Sequence, residues 1–179
     1  MPSRYRVTAG WLVGALVLAL ARPSLVSLLA ALPLALAGEA TRIWASGHIE
    51  KTKCLATGGP YAHSRNPLYL GSLLIAFGVA LACWSPWVVL AVAVYLLAFY
   101  PSVMREESAF LASKFPTEYA AWAAAVPLFW PRLLPGGQRS SCFEWARVRM
   151  NREWRTAAAL PLLAALLLAL PHVRRWLGA

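Results

Sequence analysis

Two short stretches of this chain hold side chains whose types and spacing could do chemistry. One is "SRNPLYLGS", Ser64 to Ser72, where Arg65, Asn66, Pro67 and Tyr69 stand at the threshold of a long apolar run. The other is "REES", Arg105 to Ser108, where Glu106 and Glu107 are adjacent at the end of that run. A guanidinium, a carboxamide and two carboxylates can pair with polar or charged groups of a ligand or of the chain itself. Ionisable groups at membrane depth are expensive, which makes them candidates for function. Each stretch also has a plain alternative. Asn-Pro opens helices, because the missing amide hydrogen of proline is not needed in a first turn. Adjacent acids complement the dipole of a helix that is just starting.

The elements that must position these groups follow from composition. The chain has 179 residues, 60% of them hydrophobic and 13% charged, with a mean hydropathy of +0.56. A soluble domain of this size is far less apolar, so the chain is expected to be an integral membrane protein. Val7 to Ala21, Pro23 to Gly38, Asn66 to Met104 and Thr156 to Val173 contain no Asp, Glu, Lys or Arg. The third block is about twice the ~20 residues that cross a bilayer, so it must fold back. "CWSPW", Cys83 to Trp87, is the expected hairpin tip, with proline to break the helix and tryptophan for the interface. The expected fold is all-α and polytopic, with about five transmembrane helices in one domain spanning residues 1–179. Placing the N-terminus inside puts 14 of the 17 Lys and Arg residues on the cytoplasmic side and leaves Arg22, Arg174 and Arg175 outside. That asymmetry sets the expected orientation in a bacterial inner membrane. It also accounts for the net charge of +10. The basic start and Ala-Leu-Ala end of the first block resemble a secretory signal, but the next block begins at once and the two are expected to pair as a helical hairpin.

Several function classes are set aside at this stage. The basic residues are spread over loops between spans, so no nucleic-acid partner is expected. Cys54, Cys83 and Cys142 lack zinc spacing, His48, His63 and His172 form no cluster with the seven glutamates, and there is no aspartate; no metal is expected as partner or cofactor. "TGGPY", Thr57 to Tyr61, precedes no strand and helix alternation, so a soluble dinucleotide fold does not fit. A hairpin between the third and fourth spans returns the chain to one face, so Lys51 to Ser72 and Arg105 to Arg132 can line one pocket. In the second of these segments Leu111, Phe115, Tyr119 and Trp122 recur at helical intervals as an apolar stripe, with Pro116 expected to open a separate short helix.

The two segments together carry a resemblance. "GGPYAHSRNPLYLGS" followed, after one membrane hairpin, by "REESAFLASKFPTEYAAWAAAVPLFWP" resembles the membrane methyltransferase superfamily that includes isoprenylcysteine carboxyl methyltransferases and phospholipid N-methyltransferases. The matched core runs from about residue 51 to 131, and residues 136–179 add a connector and a further transmembrane helix. The resemblance implies transfer of a methyl group from S-adenosylmethionine, with S-adenosylhomocysteine as product, to a lipophilic acceptor such as a membrane lipid. It implies a cofactor pocket on the cytoplasmic side built from Leu55, Ala56, Gly59, Tyr61, Arg65, Asn66, Pro67, Tyr69, Glu106 and Glu107. In it, Leu55, Ala56 and aromatic rings enclose adenine. Glu107 and Arg105 are the implied catalytic residues; Tyr119 and Trp122 are the expected acceptor contacts, since an amphipathic helix at the interface can present aromatics to both lipid and pocket, with plain packing as their alternative. Asn66 stands where the family has His, and Pro116 where it has Gly. Val103 stands where carboxyl-methylating members have an Arg, and Arg105, two residues on, points about 200° away around a helix. An amine acceptor is the alternative, and it must lose a proton; His63 is the neutral-range base near the motif, with a surface loop histidine as its plain alternative.

Elsewhere, Glu39 and Arg42 are three apart on one helix face and are expected to pair, easing their burial. His48 and Lys51 could reach the cofactor mouth or simply anchor the interface. "GGQRSS", Gly136 to Ser141, reads as a flexible turn. Two further classes remain open: a membrane reductase of related architecture holding a dinucleotide phosphate with Lys51, Lys53 and Arg65, and a non-catalytic scaffold.

Overall fold

The computed structural model describes residues 3–50, 54–136, 142–176 and 178. Lys51, Lys53 and most of "GGQRSS" therefore lie outside the described residues. Within them the chain is all helical: α1 (Ser3–Leu20), α2 (Leu25–Ser46), a 3-10 turn (Gly59–Ala62), α3 (Pro67–Ala82), α4 (Pro86–Lys114), α5 (Pro116–Ala125), α6 (Trp145–Met150) and α7 (Trp154–Trp176). The helices α2, α4 and α7 are long and apolar enough to cross a membrane, and α1 and α3 are shorter apolar helices. This is the polytopic membrane architecture expected from composition. The hairpin tip falls at Cys83–Ser85, with Trp84 in the left-handed region at φ 48°. Proline opens α3, α4 and α5, where its lack of an amide hydrogen costs nothing.

Two apolar blocks come out longer as helices than the uncharged runs that announced them. The helix α2 continues through Glu39 and Arg42 to Ser46, and α4 continues through Arg105, Glu106 and Glu107 to Lys114. Pro33 and Pro101 lie inside them without ending them. Proline is tolerated in membrane helices when neighbouring groups take up the freed carbonyl.

The helices form two compact units. The first, residues 1–37, 73–102 and 156–179, has a core of Val17, Ala21, Ala31, Ala80, Val88, Val92, Leu96 and Leu167. Small residues there let helix backbones approach, the usual solution where lipid gives no hydrophobic drive for helices to associate. Arg174 donates to the carbonyls of Ala21 (2.7 Å), Leu18 (2.5 Å) and Ala19 (2.9 Å), satisfying the open C-terminal end of α1. Ser27 Oγ, buried, donates to Ala82 O at 2.8 Å. The second unit, residues 38–72 and 103–155, has a core of Ala45, Leu55, Tyr61, Tyr119, Trp122 and Val126, and it contains the residues singled out by their chemistry.

Candidate active site

The segment from Tyr61 to Asn66 is fixed by a ladder of bonds to the chain after α5. Arg65 N donates to Pro127 O (3.0 Å), Arg132 N to His63 O (3.0 Å) and Gly136 N to Ala62 O (2.7 Å). Ser64 Oγ donates to Phe129 O at 2.7 Å, and Asn66 Nδ2 to Leu128 O at 2.9 Å. These buried polar groups are thus mostly paired, as burial demands. The left-handed φ of +55° at Gly59 lets the chain enter the 3-10 turn, and the His48 ring occupies the space a Cβ would need, 2.3 Å away.

The result is a cavity of about 300 Å³ lined by Arg42, Tyr61, Arg65, Asn66, Pro67, Leu68, Tyr69, Ser72 and Glu107. Six of the ten positions expected around a cofactor are there: Tyr61, Arg65, Asn66, Pro67, Tyr69 and Glu107. The segments before α3 and inside α4, far apart in sequence, supply opposite charges to it. Arg65 is held by its Nη1, which donates to Tyr119 Oη at 3.0 Å, while its buried Nε has no hydrogen-bond partner. An unpaired buried guanidinium N–H costs free energy, and a ligand acceptor in the cavity would offset that cost. Burial, and next the nearby Glu107 carboxylate, hold the Tyr61 phenol well above its usual range, so it stays neutral.

The other four expected cofactor positions lie around the cavity rather than on its wall. Leu55 and Ala56 belong to the apolar core that also holds Tyr61, Tyr119 and Trp122. Gly59 shapes the turn, and Glu106, like Arg105, is exposed on α4. Tyr119 and Trp122 are buried, at 9% and 4% exposure. Tyr119 holds Arg65, and Trp122 Nε1 donates to Tyr61 O at 2.9 Å, so both reach the cavity through a residue of its wall. His63 is off the wall; its Nδ1 bonds to Arg132 O at 2.8 Å. His48 is buried, with its Nδ1 2.8 Å from Trp44 O.

Three features differ from the sequence expectation. Glu106 and Glu107 sit well inside α4, many turns from its start at Pro86, so a helix-start dipole does not account for them. Arg42 donates to Glu153 at 2.6 Å, whereas the Glu39 carboxylate oxygens are buried and have no hydrogen-bond partner. Arg42, Leu68 and Ser72 are wall residues that sequence reasoning did not place there. The signal for Arg42 was the glycine of "YLGS": a Cβ on Gly71 would lie 2.7 Å from Gly38 O and 2.6 Å from Arg42 Cγ, so α3 touches α2 at this point.

The chemistry of a zwitterion such as S-adenosylmethionine suits this donor set. Glu107 can face its ammonium, and Arg65, through the unpaired Nε, its carboxylate; Tyr61, Pro67, Leu68 and Tyr69 supply the apolar wall.

Residues 38–118 match the family model described as phospholipid methyltransferase. The cobalt-zinc-cadmium resistance protein CzcN of Cupriavidus metallidurans is 40% identical over 94 residues, covering 51% of this chain and 43% of that protein. The nickel-cobalt-cadmium resistance protein NccN of Alcaligenes xylosoxydans xylosoxydans is 33% identical over 94 residues, covering 51% of this chain and 44% of that protein. The chain thus spans less than half the length of these relatives. No solved structure matches it. The relatives' names correct one expectation, that metal has no part in this chain's partners: both are named for resistance to metals. The cysteine and histidine spacing on which that expectation rested concerns only a resident ion. Among the described residues no group of three or more His, Cys or Glu could hold one.

Proposed function

Taking residues 38–118 as a domain of the isoprenylcysteine and phospholipid methyltransferase superfamily, we propose that the chain is a membrane methyltransferase using S-adenosylmethionine and that its activity serves tolerance to heavy metals. The observation that carries the catalytic part is the cavity inside the matched segment, with Glu107 on α4 and Arg65 and Asn66 before α3 in one wall. The metal part comes from the two resistance proteins.

The bound cofactor would supply an electrophilic methyl on a sulfonium. The chain's own residues bind and orient. Glu107 holds the ammonium end and Arg65 the carboxylate end, so the reacting carbon is fixed relative to the acceptor, and such positioning is the main lever for an in-line transfer. Tyr61, Leu68 and Tyr69 exclude water from the cofactor's apolar part. Tyr61, kept neutral, adds no second negative charge beside Glu107. The acceptor in this reading is lipophilic, because six of the wall residues, Arg42, Pro67, Leu68, Tyr69, Ser72 and Glu107, are carried on the predominantly apolar helices α2, α3 and α4. The distribution of Lys and Arg supports a cytoplasmic face for the site and an inner-membrane setting.

The test has two arms. Purified protein given S-adenosylmethionine labelled in its methyl group, with membrane extract, should place label in an extractable lipophilic fraction, and Glu107→Gln should not. Expression in a cadmium- and cobalt-sensitive bacterial host should raise metal tolerance with the wild-type chain and not with Glu107→Gln. Equal labelling by both proteins would overturn the catalytic reading; equal tolerance would overturn its link to metals.

A further inference from the structure

Arg42 is the one wall residue drawn from α2, and its guanidinium needs a counter-charge where it is packed. Glu39, one turn earlier on the same helix, makes no hydrogen bond to it. The hydrogen-bonded carboxylate is that of Glu153, 111 residues away in sequence, whose Oε1 accepts from Arg42 Nε at 2.6 Å and which is only 5% exposed. On its other side Arg42 Nη1 donates to Ser72 Oγ on α3. The guanidinium is therefore held between two side chains at the cavity wall.

The segment that brings Glu153 there is itself attached to the end of α2. Asn151 Nδ2 donates to Ser46 O (2.9 Å) and Ile49 O (3.1 Å), and Glu144 N donates to Gly47 O (3.0 Å). Carbonyls at a helix C-terminus lack helical partners, so these bonds meet a need that α2 already has. Arg147 adds an ion pair with Glu50 at 3.4 Å, and the Phe143 ring lies 5.9 Å from that of His48. All of this comes from residues 142–155, beyond the segment that matches the family.

We propose that Glu153 is a positioning residue of the site: it holds Arg42 against Ser72 so that the guanidinium faces the cavity and, with Arg65, grips the carboxylate of the bound ligand. This rests on the S-adenosylmethionine reading above. A carboxylate accepts on both oxygens and can take a donor from each arginine. Two guanidinium groups on the wall of one cavity repel in its low-dielectric surroundings, and the buried Glu153 carboxylate offsets that repulsion. Removing one partner of a buried pair leaves the other charge uncompensated and free to seek solvent.

The full chain in detergent is tested by calorimetry with two ligands, S-adenosylhomocysteine and its decarboxylated analogue, which lacks only the carboxylate. The wild type should bind the first more tightly. Glu153→Gln should lose about tenfold in affinity for S-adenosylhomocysteine, the scale of one charge-assisted contact, with affinity for the analogue unchanged. Glu153→Asp should recover part of the loss. Arg147→Gln, which breaks the neighbouring ion pairs of the same segment, should bind both ligands as the wild type does. If Glu153→Gln does not fold, Ser72→Ala must show the same selective loss at smaller size. Undiminished binding of S-adenosylhomocysteine by Glu153→Gln, or an equal loss for both ligands, overturns the positioning role while leaving the cofactor reading intact. A wild type that binds neither ligand overturns both.

Discussion

Glu107 and Tyr61 show how much one side chain depends on the other at this site. The two line the same cavity, and the carboxylate is the second cause, after burial, of the raised phenol pKa. Glu107→Gln removes the charge proposed to meet the ligand's ammonium while keeping the side chain's shape. It should weaken S-adenosylhomocysteine binding by about 1.5 to 3 kcal/mol, at least tenfold, in calorimetry, with the unfolding temperature nearly unchanged. For Tyr61 the direction of linkage is fixed by the raised pKa. The folded state favours the protonated phenol, so its contribution to stability is complete below the ordinary value of 10.0 and is lost as pH rises above it. Thermal unfolding followed from pH 9 upwards should show a fall above about pH 10, and Tyr61→Phe should make that fall shallower. An identical pH profile in the variant would mean that the phenol is free to ionise in the folded chain.

At the scale of elements, the site depends on two close approaches. Where α3 crosses α2, Gly71 leaves no room for a side chain: a Cβ would meet Gly38 O at 2.7 Å and Arg42 Cγ at 2.6 Å. Because one of those atoms is backbone, the helices themselves must move. Gly71→Ala should lower stability by about 1 to 3 kcal/mol, the usual cost of overpacking, seen as a lower unfolding temperature, and should weaken ligand binding because Arg42 is displaced. The second approach is that of α5 to the 3-10 turn, where Trp122 Nε1 donates to Tyr61 O in a buried bond of 2.9 Å. Trp122→Phe keeps an aromatic ring but leaves that carbonyl unpaired. A loss of about 1 to 3 kcal/mol is expected, and a variant as stable as the wild type would show that water replaces the indole there.

For the whole molecule, the orientation inferred from charge can be read with the native cysteines. Cys54 and Cys142 are exposed and belong to segments expected on the cytoplasmic side, while Cys83 at the α3–α4 tip is buried. A membrane-impermeant maleimide should leave the protein unlabelled in intact cells and label Cys54 and Cys142 in inverted membrane vesicles. Labelling of either in intact cells would place the cavity on the opposite face and contradict the bias of 14 in 17 Lys and Arg residues.

Much of this was legible along the chain because it is local. The lengths of apolar blocks set which segments can cross a bilayer, "CWSPW" marks the tip between α3 and α4, and proline at 67, 86 and 116 marks three helix starts. Periodicity, bilayer thickness and the missing proline hydrogen act over a few residues, so no tertiary knowledge is needed. The motifs "GGPY" and "RNPLY" and the glutamate pair likewise pointed to six residues of the cavity wall: Tyr61, Arg65, Asn66, Pro67, Tyr69 and Glu107. What only the tertiary structure decided is which partner each charge takes. Arg42 had Glu39 within one turn, yet its carboxylate hydrogen bond goes to Glu153, because α2, α3 and the segment before α7 meet there. Tyr119 and Trp122, an apolar stripe by spacing, support Arg65 and Tyr61 because the chain after α5 folds back over the segment before α3. Spacing in sequence sets which groups share a helix face, and the packing of helices distant in sequence sets which of them meet.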